Sequence, residues 1–495
     1  MKLVPIKIFG RDTNIKHFNS NDDVLVPEKY IERESELRGV WVSTVANIDV
    51  PKMDVEDGKV KSGEVEKYKK YLDSVIAKLK EYHLNTAIFQ VRPVNDALYE
   101  SKMNPWSSVL TGCEGLNPGF DVFGYFMEQA QKNNINVHAW INPYRAGRVN
   151  IVEKGLSRDE FLATLGENNF ARLHPECTIL TKDNKILLDP ANEKVREFVS
   201  DSIIEVALKY PVKAVHIDDY FYPYEDIADP DEEEKMKKAG FSKVSDFRRY
   251  NVDLMIELIH NKLSRLPRKV EFGISPFGIY RTLRSNYTEE DLKTLKGMEA
   301  SWEYGSNNHK GCLTNYAGLY ADIYKWMENG WIDYVTPQDY FDLENSKIND
   351  KGEEVCLVKY ADLVDWWSWA AKKTNCKLYI GQAMYRMGAG LPVLRRGPRS
   401  SGAGRRADCL GALPGRLHRP CGTRVHPRRR ARFPRRQPSA FAIKLPADGV
   451  FQTGGRKLFF GSRKTNFRSA VRRRQKKFQE KFGSLNFCCT FAVYY

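Results

Sequence analysis

Two aspartates stand side by side in the segment 215-VHIDDYFYP-223. Read as a strand, this segment puts His216 and Asp218 on one face and Val215 and Ile217 on the other, with Asp219 at the exit. Carboxylates this close repel, which raises the pKa of one and leaves the pair in different protonation states. That split is what acid/base cleavage of a glycosidic bond requires. A strand-end Asp can also do no more than cap the following loop, and that alternative stays open for either residue. His216 and Asp218 could share a metal, but no second His cluster supports one. A hydrogen-bonded histidine inside the fold is the better reading.

The elements that must position such a pair repeat along the chain. Short apolar or β-branched runs recur, each ending in polar or aromatic residues: 39-GVWVSTVANID-49, 84-LNTAIFQVRP-93, 135-INVHAWINPYR-145, 212-VKAVHIDDYFYP-223, 269-KVEFGISPFGIYR-281, 331-WIDYVTPQDYF-341 and 377-KLYIGQAMYRM-387. Helical patterns lie between them. Residues 64–80 carry an apolar face of Val65, Tyr68, Leu72, Val75, Ile76 and Leu79. Asp189-Pro190 predicts a helix start with Asp as cap. Ser245 predicts another, and a further helix is expected from Tyr316 to Asn329, ending at Gly330. Strands alternating with helices indicate parallel βαβ units, apolar on both faces until their last residues. Seven repeats fit an α/β protein of the (β/α)8 TIM-barrel type. No Gly-rich phosphate turn follows the first run, which weakens a doubly wound sheet.

Barrels of this kind build their sites at the C-terminal strand ends. Those ends supply Trp41 and Asn47; Gln90, Arg92 and Asp96; Trp140, Asn142, Tyr144 and Arg145; His216, Asp218, Asp219, Tyr220 and Tyr222; Ser275 and Arg281; Gln338, Asp339 and Tyr340; Gln382, Tyr385 and Arg386. Aromatic faces stack on sugar C–H faces, while amides and carboxylates bind hydroxyls. The set suits a carbohydrate cleft and is too polar for a lipid pocket. Asp218 and Asp219 are the expected catalytic pair, with Asp96 a candidate partner carboxylate. Trp41, Trp140, Tyr144, Tyr220 and Tyr385 are expected sugar platforms, and Arg92, Asn142, Arg145, His216 and Gln338 expected polar contacts. Arg92 and Arg145 could orient a substrate carboxylate, or serve only as structural ion pairs. Asp96 could equally form a turn. Asp339 and Glu303 remain alternatives for the second carboxylate. No cofactor or metal is expected.

The segments RGVWVST (38–44), FQVRPVNDALYES (89–101), HAWINPYRA (138–146), LDPANEKVREFV (188–199), VHIDDYFYPY (215–224), GISPFGIYR (273–281) and WIDYVTPQDY (331–340) together resemble the bacterial glycosyl hydrolase-like 10 family. The resemblance covers roughly residues 36–390. It implies a (β/α)8 barrel and glycoside hydrolysis, in part of the family on peptidoglycan glycan strands. It also implies that the presumed catalytic acid is Asp218 or Asp219. A non-catalytic glycan-binding barrel, with the aromatic floor but no competent second carboxylate, is the alternative.

Charge divides the chain in two. The formal net charge is +15, yet residues 391–495 alone carry +23 and residues 1–390 carry −8. The last 105 residues use 20 Arg and 6 Lys, against 16 Arg and 36 Lys before them, so the two parts differ in residue choice as well as sign. Residues 391–440 hold 14 Arg, no Lys and one aromatic, and neither the helical nor the strand period survives there. A basic arm that binds nucleic acid would be expected to keep Lys and interleave aromatics. The abrupt boundary, the switch to Arg and the Cys488-Cys489 pair fit better with a segment read out of frame. A genuine basic tail and a second domain are the alternatives. The expected division is therefore a polar leader over 1–37, the barrel over 38–390 and a basic low-order tail over 391–495. The eighth strand is expected to be missing or garbled, with 457-KLFFG-461 its best fragment. A barrel open in this way would expose two parallel edges. No apolar run reaches the length of a membrane span. The N-terminus lacks a signal-peptide core, so the expected location is cytoplasmic for the sequence as written and extracytoplasmic if the N-terminus is incomplete. Nine scattered cysteines argue against a disulfide framework.

Overall fold

Strands that are buried on both faces must satisfy two cores at once, and the sequence does so by alternation. The computed structural model describes residues 2–7, 12–29, 36–283, 302–309, 311–343 and 357–384, with the backbone of 345–348, 354–356, 452–453, 456–457 and 488–491. Seven parallel strands follow one another around a curled sheet: β1 (Arg38–Val42), β2 (Thr86–Arg92), β3 (Asn136–Ile141), β4 (Ala214–Ile217), β5 (Glu271–Ile274), β6 (Tyr334–Val335) and β7 (Lys377–Leu378, resuming as Ile380–Gly381). Helices α1 (Glu64–Glu81), α2 (Val122–Lys132), α3 (Glu193–Lys209), α4 (Val244–Leu263), α5 (Ile323–Glu328) and α6 (Tyr360–Thr374) fill the crossovers. This is the expected (β/α)8-type architecture.

Outward residues Val40, Phe89, Val137, Val215, Phe272 and Val335 join a single core with Leu72, Ile203, Ile256 and Trp326 from the helices. Burial of such side chains contributes roughly 25 cal/mol per Å². Inward residues are of a different kind. Trp41, Ile88 and Trp140 form one small cluster, and Ala214, Tyr334 and Tyr379 another. Between them run polar groups that satisfy each other. The Tyr334 phenol lies 2.8 Å from His138 Nδ1 and 2.9 Å from His216 Nδ1, and His216 Nε2 lies 2.8 Å from Ser275 Oγ. Burial holds both imidazoles below their ordinary pKa, His138 at about 3. Trp41 Nε1 donates to His216 Nε2 at 3.4 Å, so that nitrogen accepts and one direction fits: Ser275 donates to His216, His216 to Tyr334, and Tyr334 to His138. Gly273 makes room for the phenol, since a Cβ there would lie 1.8 Å from Tyr334 Cζ.

Several expectations are corrected. The helix after Asp189-Pro190 begins at Glu193, where Asn192 Oδ1 accepts from the Lys194 N–H at 2.9 Å. Asp189 instead turns onto the Ala191 N–H at 2.9 Å and pairs with Lys235 at 2.9 Å. The helix expected over 316–329 is broken into Asn315–Gly318 and Ile323–Glu328, with Tyr320 at φ 53° between them. It does stop at Gly330, φ 66°. The leader is not only polar: Leu3–Pro5 pairs with Leu25–Pro27, and Ile15 and Val24 pack against Ala361 of α6.

No eighth parallel strand is present among the described residues, as expected, but the state of the edges is corrected. The two sheet edges expected to be free are both paired, by the antiparallel segment β8 (Cys488–Phe491). It meets β1 from Trp41 to Arg38, but meets β7 only at Ile380 and Gly381. Of the fragment favoured for the eighth strand only Lys457 is described. Arg456–Lys457 pairs with Gln452–Thr453, and residues 458–461 fall outside the described residues.

Gly273→Ala is expected to lower stability by about 1–3 kcal/mol, since Tyr334 must leave both histidines to admit the methyl group. Chemical denaturation measures this, and an unchanged midpoint would contradict it. A chain whose eighth strand runs parallel and spans both β1 and β7 is expected to melt several degrees higher than this one. Calorimetry on the two proteins compares them, and equal melting temperatures would refute the expectation.

Candidate active site

The inward row of each strand can be followed to its C-terminal end. Ser43, Gln90, Asn142, Asp218, Ser275 and Gln338 continue the inner faces of β1 to β6, and Asp219 follows Asp218 just past β4. Gln90 Oε1 accepts from the Thr44 and Val45 N–H groups at 2.9 and 2.8 Å. That fixes its amide, so Nε2 donates to Asn142 Oδ1 at 2.5 Å. Asn142 Nδ2 is thereby turned to Asp218, 2.8 Å from each carboxylate oxygen. The Tyr220 N–H adds a third bond to Asp218 at 3.1 Å.

Asp219 has a different setting. Gln338 Nε2 donates to one oxygen at 2.7 Å and to the Ser275 carbonyl at 3.0 Å, while the Tyr224 hydroxyl donates to the other oxygen. Both aspartates are buried. Burial, and then the neighbouring Asp218 charge, push the Asp219 pKa up to about 6. One strand end thus holds a carboxyl that can carry a proton near neutrality beside one furnished with donors. Such a pair can donate a proton to a leaving oxygen while keeping a negative charge next to it.

Of the remaining expected residues, some join this site and others do not. Arg145 lies with its guanidinium 4.0 Å over the Tyr220 ring. Trp140 is buried below Asn142, and its Nε1 has no hydrogen-bond partner among the described residues. Trp41 is only 4% exposed and directs its Nε1 at His216 Nε2, 3.4 Å away. It is part of the barrel filling and offers no open platform. His216 likewise belongs to the internal hydrogen-bonded chain. Tyr144 is 0% exposed and packs in the outer core, because the chain turns outward after Asn142. Tyr385 lies outside the described residues.

Arg92 and Asp96 are also corrected. The β2–β3 register slips between Gln90 and Arg92, so Arg92 pairs with Ile141 and shares its outward face. Its guanidinium is spent on Asn142 O (2.7 Å), Pro143 O (3.2 Å), Asn95 Oδ1 (2.6 Å) and Asn104 Oδ1 (3.1 Å), and lies over Phe198 of α3. Asp96 ties its own loop through Ser107 Oγ and the Val94 N–H, so it is a turn residue and not a partner for Asp218. Glu303 pairs with Lys373 at 2.7 Å on α6. Tyr224, 53% exposed, was missed although it closes the motif that carries the aspartates. Gln90 stood among the strand ends, but nothing in its residue type marked it as the group that orients Asn142.

Residues 36–393 match the Glycosyl hydrolase-like 10 family. The chain belongs to that family. Glycosyl hydrolase YngK of Bacillus subtilis (strain 168) is 34% identical over 360 residues, 72% of this chain and 62% of that protein. The chain therefore spans less than two thirds of this relative's length. Glycosyl hydrolase DigH of Escherichia coli (strain K12) is 29% identical over 355 residues, 71% of this chain and 74% of its own. Among solved structures, the PgaB (BpsB) glycoside hydrolase domain from Bordetella bronchiseptica has a TM-score of 0.37 at 10% identity, over 69% of this chain and 86% of that one. This last likeness is distant, and nothing further rests on it. The segment matching the glycosyl hydrolase-like 10 family includes every strand end in the Asp218–Asp219 network and almost none of the basic C-terminal segment. Among the described residues no helix is long and apolar enough to cross a membrane.

Asp219 is expected to titrate near pH 6, and its midpoint is expected to fall in Asp218→Asn, which removes one of the two causes of its shift. Carboxyl carbon NMR reads this without requiring activity. A midpoint that does not move would mean that burial alone sets it.

Proposed function

We propose that this chain hydrolyses O-glycosidic bonds in a bacterial polysaccharide, with the glycan strands of peptidoglycan as the first substrate to test. Asp219 acts as general acid, and Asp218 is the charged partner beside it. The observation that carries this reading is the unequal setting of two consecutive carboxyls: one accepts three N–H bonds, and the other is raised to a pKa of about 6. A purely structural pair of loop caps would not need that contrast. Tyr224 can give its face to a sugar and its hydroxyl to Asp219. Arg145, over the Tyr220 ring, is a cation available to an acidic sugar.

Glycan strands stripped of their peptides test the proposal by product analysis. The wild-type chain is expected to shorten them, and Asp219→Asn to slow this by about 10²–10⁴-fold. Because the acid must hold its proton, kcat is expected to decline as pH rises through about 6, the value to which Asp219 is raised. Binding of the strands with no product from either protein would reject hydrolysis and favour a glycan-binding barrel.

A further inference from the structure

An acid can protonate a leaving oxygen only if its proton can reach the substrate, and Asp219 keeps neither carboxyl oxygen free. Oδ1 accepts from Gln338 Nε2 at 2.7 Å, and the same nitrogen donates to the Ser275 carbonyl at 3.0 Å. Two acceptors around that atom fix it as the amide nitrogen, so Oδ1 accepts whether or not Asp219 is ionised. The proton of the un-ionised form therefore sits on Oδ2. The group against Oδ2 is the Tyr224 hydroxyl. When Asp219 is charged, the phenol donates to it. When Asp219 holds a proton, Oδ2–H donates instead and the phenol oxygen accepts. The hydrogen of the phenol is then released from the carboxyl and turns elsewhere.

The chain leading to Tyr224 places that hydroxyl between the acid and solvent. After β4 the Phe221 N–H bonds back to the Asp219 carbonyl at 3.0 Å, and Phe221 and Tyr222 are buried. Tyr224 returns to the surface beyond Pro223 and is 53% exposed, whereas Asp219 is only 7% exposed. Its ring meets Tyr220 edge to face, with centroids 5.5 Å apart and planes at 77°, which steadies the phenol.

We propose that Tyr224 hands the proton over: its O–H protonates the leaving oxygen while the Asp219 proton moves onto the phenol oxygen. The proposal rests on the hydrolase reading above. As the bond from C1 to the leaving oxygen breaks, that oxygen keeps the electron pair and takes the phenol proton. The phenol oxygen takes the Asp219 proton, so Asp219 ends as a carboxylate and Tyr224 ends as it began. Water bonds to C1 through its oxygen and releases one proton to solvent. Asp219 takes a proton back from solvent through the same hydroxyl.

Tyr224→Phe removes the hydroxyl and keeps the ring. On peptide-free glycan strands its kcat is expected to fall about 100-fold. The loss is expected to persist well below pH 6, where Asp219 holds its proton in either protein. The disaccharide repeat of those strands, carrying 2,4-dinitrophenolate at C1, has a leaving group that departs without a proton. On that substrate Tyr224→Phe is expected to match the wild type. If Tyr224 merely positioned Asp219, loss of a donor to the charged form would move the midpoint of the pH profile up and leave the acid plateau of kcat unchanged. A full acid plateau would therefore overturn the relay, as would equal losses on both substrates, and either result leaves the hydrolase reading intact. No cleavage of either substrate by the wild-type chain would overturn both.

Discussion

Polar side chains buried on the inner face of the curled sheet need partners, and several find them on another strand. That constraint organises the molecule. Tyr334 answers two histidines at once, and it can do so because β5 has a glycine at the facing position. Higher in the barrel Gln90 answers two backbone N–H groups, and its remaining amide group then dictates which way Asn142 faces. Asp218 lies at the end of this series of obligations. Its donors are set three strands away, by a turn after β1 that never touches it.

Asp219 is held differently, and the two settings explain each other. Gln338 and Tyr224 would favour the charged form of Asp219, but burial and the neighbouring negative charge outweigh them. Asn142 donates to both oxygens of Asp218 and so fixes how that carboxylate is presented to Asp219. The asymmetry of the pair therefore depends on Asn142 as much as on the aspartates. It costs the fold something to keep a charge buried in this way, and such costs concentrate at functional sites.

Much of this was legible in the sequence, and the failures have physical causes. The seven strands and the long helices α1, α3 and α4 followed from alternation and from apolar periodicity. Asp218 followed from alternation along its strand, and Asp219, Asn142 and Gln338 from reading the polar residues at the C-terminal strand ends. Arg92 failed that count because a one-residue slip in the β2–β3 register turns it outward, and no residue type signals such a slip. Tyr144 failed because the strand had already ended. Trp41 and His216 were on the correct face but too low, and depth along a barrel axis is set by stagger between strands, which a one-dimensional pattern does not contain. The antiparallel fit of Cys488–Phe491 between β1 and β7 was not foreseeable either, since a four-residue apolar stretch carries no direction.

The slip beside Val91 has a wider meaning. A strand delivers its side chains alternately to two destinations, and one extra residue exchanges the addresses of everything beyond it. In β2 that exchange sends a guanidinium away from the mouth and into the brace beneath the neighbouring loops, and among the described residues no Lys or Arg forms an ion pair with either aspartate. In β4 there is no such slip, and Asp218 keeps the inner address while Asp219, one step later, meets the opposite wall. The order of the two roles is thus written in the phase of the strand: the chemistry of the pair is set by a count of residues as much as by the identity of any one of them.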